Sequence, residues 1–171
     1  MQVTVIIAIG SNQRHGRYGS PGQIVRAAIT ELGRAGVSVE NVSRLRSTLP
    51  VGPKQRGYVN AAVRGASCLP PSDLLAALHR VETAFGRRRH RKWGPRVLDL
   101  DLIAYGGLVT RNAGLILPHP QMHRRSFVLD PLCDIYPDWR HPKLGLSVRQ
   151  LRVRLTRPTP VRRKTPAHVG S

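Results

Sequence analysis

Apolar and polar residues follow one another along this chain in a pattern that predicts a mixed fold of strands and helices. Four stretches rich in β-branched and other apolar residues predict strands, at residues 3–9, 37–48, 58–66 and 97–104. Two further stretches carry apolar residues at helical spacing, which predicts a helix over residues 21–34 and a second one opened by Pro70 and closed by Gly86. The predicted order of elements is therefore β-α-β-β-α-β.

This order predicts an α+β fold of the ferredoxin-like type, with an antiparallel sheet and both helices on one face. The opposite face of the sheet is then available for a binding site. At the start of the first helix, Ser20 and Gln23 have the spacing of a capping box.

The segments after residue 104 predict C-terminal additions to this fold. A short strand is expected near Val109, a short helix from Ser126, a separate turn or helix over 131–135, and a last helix over 146–151 capped by Ser147. We expect a single domain over residues 1–155. Residues 156–171 are rich in proline and arginine, which predicts a disordered tail.

Chain length and cysteine content limit the class of protein. A chain of 171 residues fits one domain with a real hydrophobic core. Cys68 and Cys133 lie far apart, which argues against a disulfide framework or a zinc site and favours a reducing compartment. The sequence has neither a long apolar run nor a secretory leader pattern, so we expect a cytoplasmic protein with no membrane association.

A formal net charge of +19 favours a polyanionic ligand. Six cations and no acid lie within residues 87–96, and another six cations lie within the last twenty residues. A nucleic acid and a polyphosphate are both compatible with such charge, and a basic tail is also compatible with solubility or nonspecific attraction to polyanions.

Two carboxylates on the fourth predicted strand, Asp99 and Asp101, indicate a metal site. Their side chains share one face, with Cα atoms roughly 6–7 Å apart at a rise of ~3.3 Å per residue. Two unit charges 4 Å apart repel by about 4 kcal/mol at an effective dielectric constant near 20, and a divalent cation removes that repulsion. Mg²⁺ prefers such oxygen ligands together with substrate phosphates. The alternative is a pair of solvent-facing acids, but the cationic segment directly before them favours phosphoryl transfer.

Three other candidates each have an ordinary structural explanation as well. Tyr58 and Asn60 point the same way and suit a flat heterocycle that stacks on the ring and bonds to the amide, or they form a common cross-strand pair. His119, held between two prolines, is either a phosphate donor or a packed turn residue. Glu82 lies near the C-terminus of the second predicted helix. It either accepts a hydrogen bond from the edge of a ligand, or anchors the arginines, or is a solvated surface acid.

Several ordered motifs resemble those of the 6-hydroxymethyl-7,8-dihydropterin pyrophosphokinase family. The resemblance covers most of residues 3–152. It rests on Ile7-Ala8-Ile9-Gly10-Ser11-Asn12, Gly52-Pro53, Tyr58-Val59-Asn60-Ala61-Ala62-Val63, Val81-Glu82, Gly86-Arg87, Lys92 to Ile103, Leu117-Pro118-His119-Pro120, and Met122-His123 with Arg125-Phe127-Val128-Leu129.

The resemblance implies transfer of pyrophosphate from ATP to the pterin hydroxymethyl group, with AMP released, in folate biosynthesis. It implies two Mg²⁺ ions on Asp99 and Asp101, with Arg87 and Arg96 at the phosphates. It also implies a pterin site formed by Thr48, Val51, Tyr58, Asn60, Trp93 and Phe127. The ATP site that it implies consists of Glu82, Arg89, Arg96, Leu102, His119 and Arg125.

Four positions differ from the family pattern. His79 stands where relatives have glutamine, and Gly114 and Ile116 stand where some members place an arginine and a threonine near ATP, so the corresponding ATP contacts are expected to differ. Leu49 replaces a common proline or acid. Partners expected from the resemblance are ATP and the pterin, with no specific nucleic acid, and the expected state is a monomer.

Two rival functions follow from the charge. A basic nucleic-acid-binding module would bind in a strongly salt-dependent manner without Mg²⁺, but it leaves the two aspartates unexplained. A metal-dependent nuclease would use both features and would need no pterin. We rank both below the pyrophosphokinase.

Overall fold

The computed structural model describes residues 1–48, 57–86, 97–112 and 114–157, and all structural statements below concern these residues. The strands are β1 (Val3–Ser11), β2 (Val37–Val42), β3 (Arg46–Thr48), β4 (Tyr58–Ser67), β5 (Asp99–Tyr105), β6 (Thr110–Asn112) and β7 (Leu115–Leu117). The helices are α1 (Pro21–Arg34), α2 (Pro71–Ala84), α3 (Ser126–Ile135) and α4 (Val148–Thr156), with a 3-10 turn at Met122–Arg124.

An antiparallel sheet with strand order β2-β4-β1-β5 forms the centre of the molecule. The short strand β3 also pairs with β4, and β6 and β7 form a separate hairpin. The predicted strand 37–48 is thus two strands. The reason is Ser43, whose Oγ accepts the Ala62 backbone N–H at 2.9 Å in place of a strand carbonyl, which interrupts the ladder between β2 and β3.

The two predicted helices pack on one face of the sheet, as expected. The residues of this first core include Val5, Ile7, Ile9, Ile24, Leu32, Leu74, Leu78 and Phe85. At the start of α1, the Gln23 side chain accepts the Ser20 backbone N–H at 2.8 Å, which confirms the predicted capping box.

The other face of the sheet, which was expected to be available for a site, is covered in part by the C-terminal additions, whose position the sequence did not predict. A second core covers part of it with side chains of α3, α4 and the 3-10 turn, including Ile6, Ile103, Met122, Val128, Leu129, Leu132, Val148 and Leu151. Burial of these apolar side chains, each worth roughly 1.5–3 kcal/mol, is the physical reason. The end of the sheet that carries Asn60 and Asp99 belongs to this same face.

The C-terminal helices also differ from the predicted bounds. Residues 126–135 form one continuous helix with Pro131 inside it, because Val128, Leu129 and Leu132 all pack into the second core. Helix α4 is capped by Ser147 as predicted, but it extends to Thr156, and the expected tail beyond residue 157 lies outside the described residues. No helix in the described ranges is long and apolar enough to span a bilayer.

Candidate active site

Strand β5 places two carboxylates on the second face of the sheet. Leu100 and Leu102 are buried in the first core, so the alternation of strand side chains points Asp99 and Asp101 the other way. Both aspartates are half-buried, whereas Leu100 between them is buried on the opposite face. This alternation confirms the prediction that the two aspartates share a face. They stand at the edge of the four-strand order, on the strand that pairs with β1.

A glycine in the central strand separates the carboxylates from a polar amide. Gly10 of β1 is the register partner of Asn60 on one side and of Asp99 on the other. A Cβ atom at Gly10 would lie 3.2 Å from Asn60 Oδ1 and 3.8 Å from Tyr58 Cδ1. The absence of a side chain here therefore leaves a shallow space above the sheet between Asn60 and Asp99.

Asn60 is only 5% exposed, and its amide is held in a short chain of hydrogen bonds. Its Nδ2 donates to Thr48 Oγ1 at 3.4 Å, and Thr48 Oγ1 donates to the Tyr58 carbonyl oxygen at 3.4 Å. Strands β3 and β4 thus bring Thr48, Tyr58 and Asn60 together, and binding of a flat ring by these residues stays a prediction.

The start of α3 forms a second wall beside the aspartates. Arg125 Nη1 lies 3.7 Å from Asp101 Oδ2, and its guanidinium carbon lies 5.6 Å from the centre of the Phe127 ring. Phe127 is 41% exposed, unusual for a large apolar side chain beside a core. A cation therefore stands close to Asp101, and an exposed aromatic ring lies beside that cation.

His119 lies near Asp101 and is fixed by the backbone. Its N–H donates to the Ile103 carbonyl at 2.8 Å, and its Nδ1 accepts the Gln121 N–H at 3.2 Å. Burial lowers the pKa of His119, Asp101 opposes this by raising it, and Arg125 lowers it further. The neutral imidazole is favoured, and because Nδ1 accepts a hydrogen bond, its proton is carried by Nε2 as a donor.

A cavity of about 540 Å³ joins His119 and Asp101 to the β6–β7 hairpin. The side chains and backbone around it include Asp101, Leu102, Arg111, Gly114, Ile116 and His119. Its volume is in the range of small-molecule sites. Gly114 and Ile116, two of the positions that differ from the family pattern, therefore border the space beside the carboxylates.

Glu82 is 1% exposed, and its Oε1 accepts the Leu100 backbone N–H at 2.8 Å. The solvated-surface interpretation of this residue is wrong, because the carboxylate lies inside, against the strand segment between the two aspartates. A contact of Glu82 with ATP stays a prediction.

The donor set fits Mg²⁺. Two carboxylates on one face, both half-buried rather than enclosed, leave room for water and phosphate oxygens in the remaining coordination positions. Within the described residues no group of three or more His, Cys, Asp or Glu side chains could hold a metal ion, so a soft or closed metal site is not indicated there.

Comparison with known proteins assigns the family. Residues 6–137 match the 7,8-dihydro-6-hydroxymethylpterin-pyrophosphokinase (HPPK) family. The chain belongs to the HPPK family. The 2-amino-4-hydroxy-6-hydroxymethyldihydropteridine pyrophosphokinase of Synechocystis is 46% identical over 128 residues, which are 74% of this chain and 66% of the relative. The Haemophilus influenzae protein of the same name is 37% identical over 138 residues, 80% of this chain and 83% of the relative.

Solved structures show the same fold. The wild-type Plasmodium falciparum HPPK-DHPS crystal structure with STZ-DHP aligns with a TM-score of 0.72 at 11% identity, over 90% of this chain and 43% of that one. The chain thus spans less than half of this larger HPPK-DHPS protein, and just under two thirds of the Synechocystis relative. At this identity the likeness supports a mixed helix and antiparallel sheet fold of the HPPK type.

The HPPK site predicted from sequence is only partly within the described residues. The structure brings together Thr48, Tyr58 and Asn60 on one side and Asp99, Asp101, His119, Arg125 and Phe127 on the other. Predictions for Val51, Arg87, Arg89, Trp93 and Arg96 fall on residues outside the described ranges.

Two polar cavity residues were missed by sequence reasoning. Arg111 and Asn112 border the cavity beside Asp101 because β6 folds back onto β7. The sequence signal available was the apolar run Leu115–Leu117 after a glycine at 114, which indicates a hairpin but not where the hairpin docks.

Proposed function

We propose that the protein transfers pyrophosphate from ATP to 6-hydroxymethyl-7,8-dihydropterin, giving AMP and the pterin diphosphate, in folate biosynthesis. Membership of the HPPK family and the names of its relatives support this reaction. The structural observation that supports this reaction is that Asn60, Gly10 and Asp99 are register partners on three neighbouring strands. A flat ring beside the Asn60 amide would hold its substituent next to the carboxylates.

The pterin would lie over Gly10, with its polar edge at Asn60. The ring of Tyr58 on the sheet and the exposed ring of Phe127 on α3 are suited to stack against its faces. Thr48 holds the Asn60 amide in place, and the Val51 backbone and Trp93 are expected to complete the pterin site.

The phosphates of ATP would lie between Asp101, His119 and Arg125. His119 supplies the Nε2–H donor and Arg125 a cation, while Arg87, Arg89 and Arg96 are expected to provide further cations, with Arg96 on the nucleotide side. Glu82 and Leu102 are expected to border the nucleotide. Mg²⁺, two ions held by Asp99 and Asp101, would neutralise charge on the phosphates when bound.

In this reaction the pterin hydroxyl oxygen forms a bond to the β-phosphorus of ATP. The bond from the β-phosphorus to the oxygen shared with the α-phosphate breaks, and AMP departs with that oxygen while the hydroxyl proton is lost. No covalent intermediate with the protein is needed in this reaction. The protein contributes by aligning the two substrates and by stabilising the negative charge that shifts between the phosphates.

We also propose that the fold is ferredoxin-like in the strict sense. If β2 and β3 count as one interrupted strand, the element order is β-α-β-β-α-β, and the two helices cover one face. A single domain, a monomer and a cytoplasmic location are part of the same proposal. Cys68 and Cys133 are both free thiols, which fits a reducing compartment.

The test is the identity of the nucleotide product. Purified protein is incubated with ATP and Mg²⁺, with and without the pterin, and nucleotides are separated by ion-exchange chromatography. AMP that forms only with the pterin supports the proposal, and the Asp101→Asn variant serves as the inactive control. ADP would contradict pyrophosphoryl transfer. Cleavage of RNA or DNA with no pterin-dependent AMP would favour the nuclease, and salt-sensitive binding alone would favour the nucleic-acid module.

A further inference from the structure

Helix α3 is held from two sides by a pair of aspartates one helical turn apart. Asp130 accepts a hydrogen bond from Arg152 Nε of α4 at 2.5 Å, and Asp134 accepts one from Arg46 Nη2 of β3 at 2.6 Å. Arg46 Nε also lies 3.3 Å from the second Asp134 oxygen. This two-pronged contact of a planar guanidinium with a carboxylate fixes orientation as well as distance.

Arg46 lies on the strand pair that carries the proposed pterin-binding residues. It is the register partner of Asn60, and it lies two residues before Thr48, which holds the Asn60 amide. Its guanidinium therefore extends from the strand pair that carries the pterin-reading residues to the last turn of α3. A second contact supports this junction, since the Arg64 guanidinium carbon of β4 lies 4.8 Å from the centre of the Tyr136 ring, directly after α3.

The other end of α3 carries the opposite wall of the same site. Phe127 lies in the first turn and Asp134 in the last, seven residues apart and so roughly 10 Å along the axis. Residues 126–135 form one continuous helix that Val128, Leu129 and Leu132 pack against the sheet. Fixing Asp134 against β3 therefore also restrains how far Phe127 stands from Tyr58 and Asn60.

We propose that Arg46 and Asp134 are positioning residues that set the width of the pterin cleft between the sheet and α3. The side chain of Arg46 is 40% exposed and that of Asp134 is 15% exposed. An ion pair whose guanidinium is still 40% exposed adds little to folding stability, so we expect the pair to act mainly on the geometry of the cleft. This inference rests on the proposed function of the site.

The experiment measures pterin affinity by fluorescence titration in the presence of a non-hydrolysable ATP analogue and Mg²⁺, on the full chain. Asp134→Asn and Arg46→Lys keep the size of the side chains but weaken or remove the two-pronged contact. We expect the pterin Kd to rise about three- to tenfold in each, with an unchanged melting temperature. A charge-reversed double variant, Arg46→Asp with Asp134→Arg, is expected to recover part of the lost affinity.

The matched control is Asp130→Asn on the same helix, which removes the contact with α4 instead of the contact with β3. Its pterin Kd is expected to stay at the wild-type value. An equal loss of affinity in Asp130→Asn would overturn the proposal, because general loosening of α3 would then explain the effect.

Two further variants separate this inference from the proposed function. Asn60→Ala and Phe127→Ala are expected to lose pterin affinity strongly. If they do, while Asp134→Asn and Arg46→Lys bind normally, the positioning role is wrong and the pterin site stands. If Asn60→Ala and Phe127→Ala also bind normally, the pterin site itself is wrong.

Discussion

The amide of Asn60 and the carboxylate of Asp99 lie on the same face of the sheet, one strand to either side of Gly10. Two strand spacings separate them, roughly 9–10 Å. A bicyclic ring bonded at one edge to Asn60 would therefore present a substituent on its far side close to Asp99. The position of the carboxylates relative to the amide is what suits this surface to the proposed transfer of pyrophosphate to a hydroxymethyl group.

Replacement of Asp101 by asparagine is expected to abolish turnover while the fold stays intact. The change removes one of two proposed metal ligands, and we expect kcat to fall by at least about 10²-fold. Because relief of the repulsion between two neighbouring carboxylates offsets the lost contact with Arg125, stability without metal should stay close to the wild-type value. Pterin-dependent AMP formation and thermal melting with and without Mg²⁺ check both points. A variant that keeps near-native rates would rule out Asp101 as a metal ligand.

A methyl group on Gly10 is expected to weaken pterin binding. In Gly10→Ala the new Cβ atom would lie 3.2 Å from Asn60 Oδ1 and would occupy the space above the sheet. We expect KM for the pterin to rise about tenfold or more, equivalent to at least about 1.4 kcal/mol of binding free energy. Steady-state kinetics at saturating ATP is the measurement.

Gly33→Ala is the matched control for this change. Gly33 lies in α1, and a Cβ atom there would meet nothing within 4 Å. Alanine is a better helix former than glycine by roughly 0.5–1 kcal/mol, so this variant should be as stable as the wild type or more so, with unchanged pterin kinetics. Equal kinetics in both alanine variants would argue against a substrate lying over Gly10.

Stability is expected to decrease as the pH falls below about 6.5, the ordinary pKa of histidine. Burial lowers the pKa of His141 in the folded state, and the nearby His123 lowers it further. Below pH 6.5 the unfolded chain therefore binds a proton that the folded chain resists, and stability is lost until the pH reaches the lower, folded pKa.

The variant His141→Asn tests this assignment. The Nδ1 atom of His141 accepts the backbone N–H groups of Lys143 and Leu144, each at 3.2 Å, and an asparagine Oδ1 can take over the acceptor role. Urea unfolding at pH 5.0 to 7.5 should show a flatter dependence of the unfolding free energy on pH in the variant. An unchanged slope would assign the dependence to other groups.

Removal of residues 157–171 is expected to leave pterin-dependent AMP formation unchanged. The last residue of α4 is Thr156, and the buried side chains of this helix, Val148 and Leu151, lie well before the cut. Binding to a DNA oligonucleotide should weaken in the truncated chain, because Arg157, Arg162, Arg163 and Lys164 are removed with it. A large loss of catalysis would assign the tail to the active site.

Local patterns in the sequence were sufficient for most of the elements. The alternation around Leu100 and Leu102 predicted correctly that Asp99 and Asp101 share a face, because strand geometry has a fixed period of two. The capping residues Ser20 and Ser147 also marked the starts of α1 and α4 correctly, since capping depends on contacts within one turn. In contrast, Pro131 predicted a break that does not exist, because burial of its neighbours outweighs the lost hydrogen bond.

The sequence by itself determined the order of the main strands and helices up to residue 105, the shared face of the two aspartates and, through the resemblance, the family. Only the tertiary structure decided that α3 and α4 cover the second face of the sheet, that Glu82 is buried against Leu100, and that Arg46 reaches Asp134 across 88 residues of sequence. The physical reason is the range of the interactions. Periodicity, caps and turns act between near neighbours, whereas the cleft depends on packing and pairing between segments that folding alone brings together.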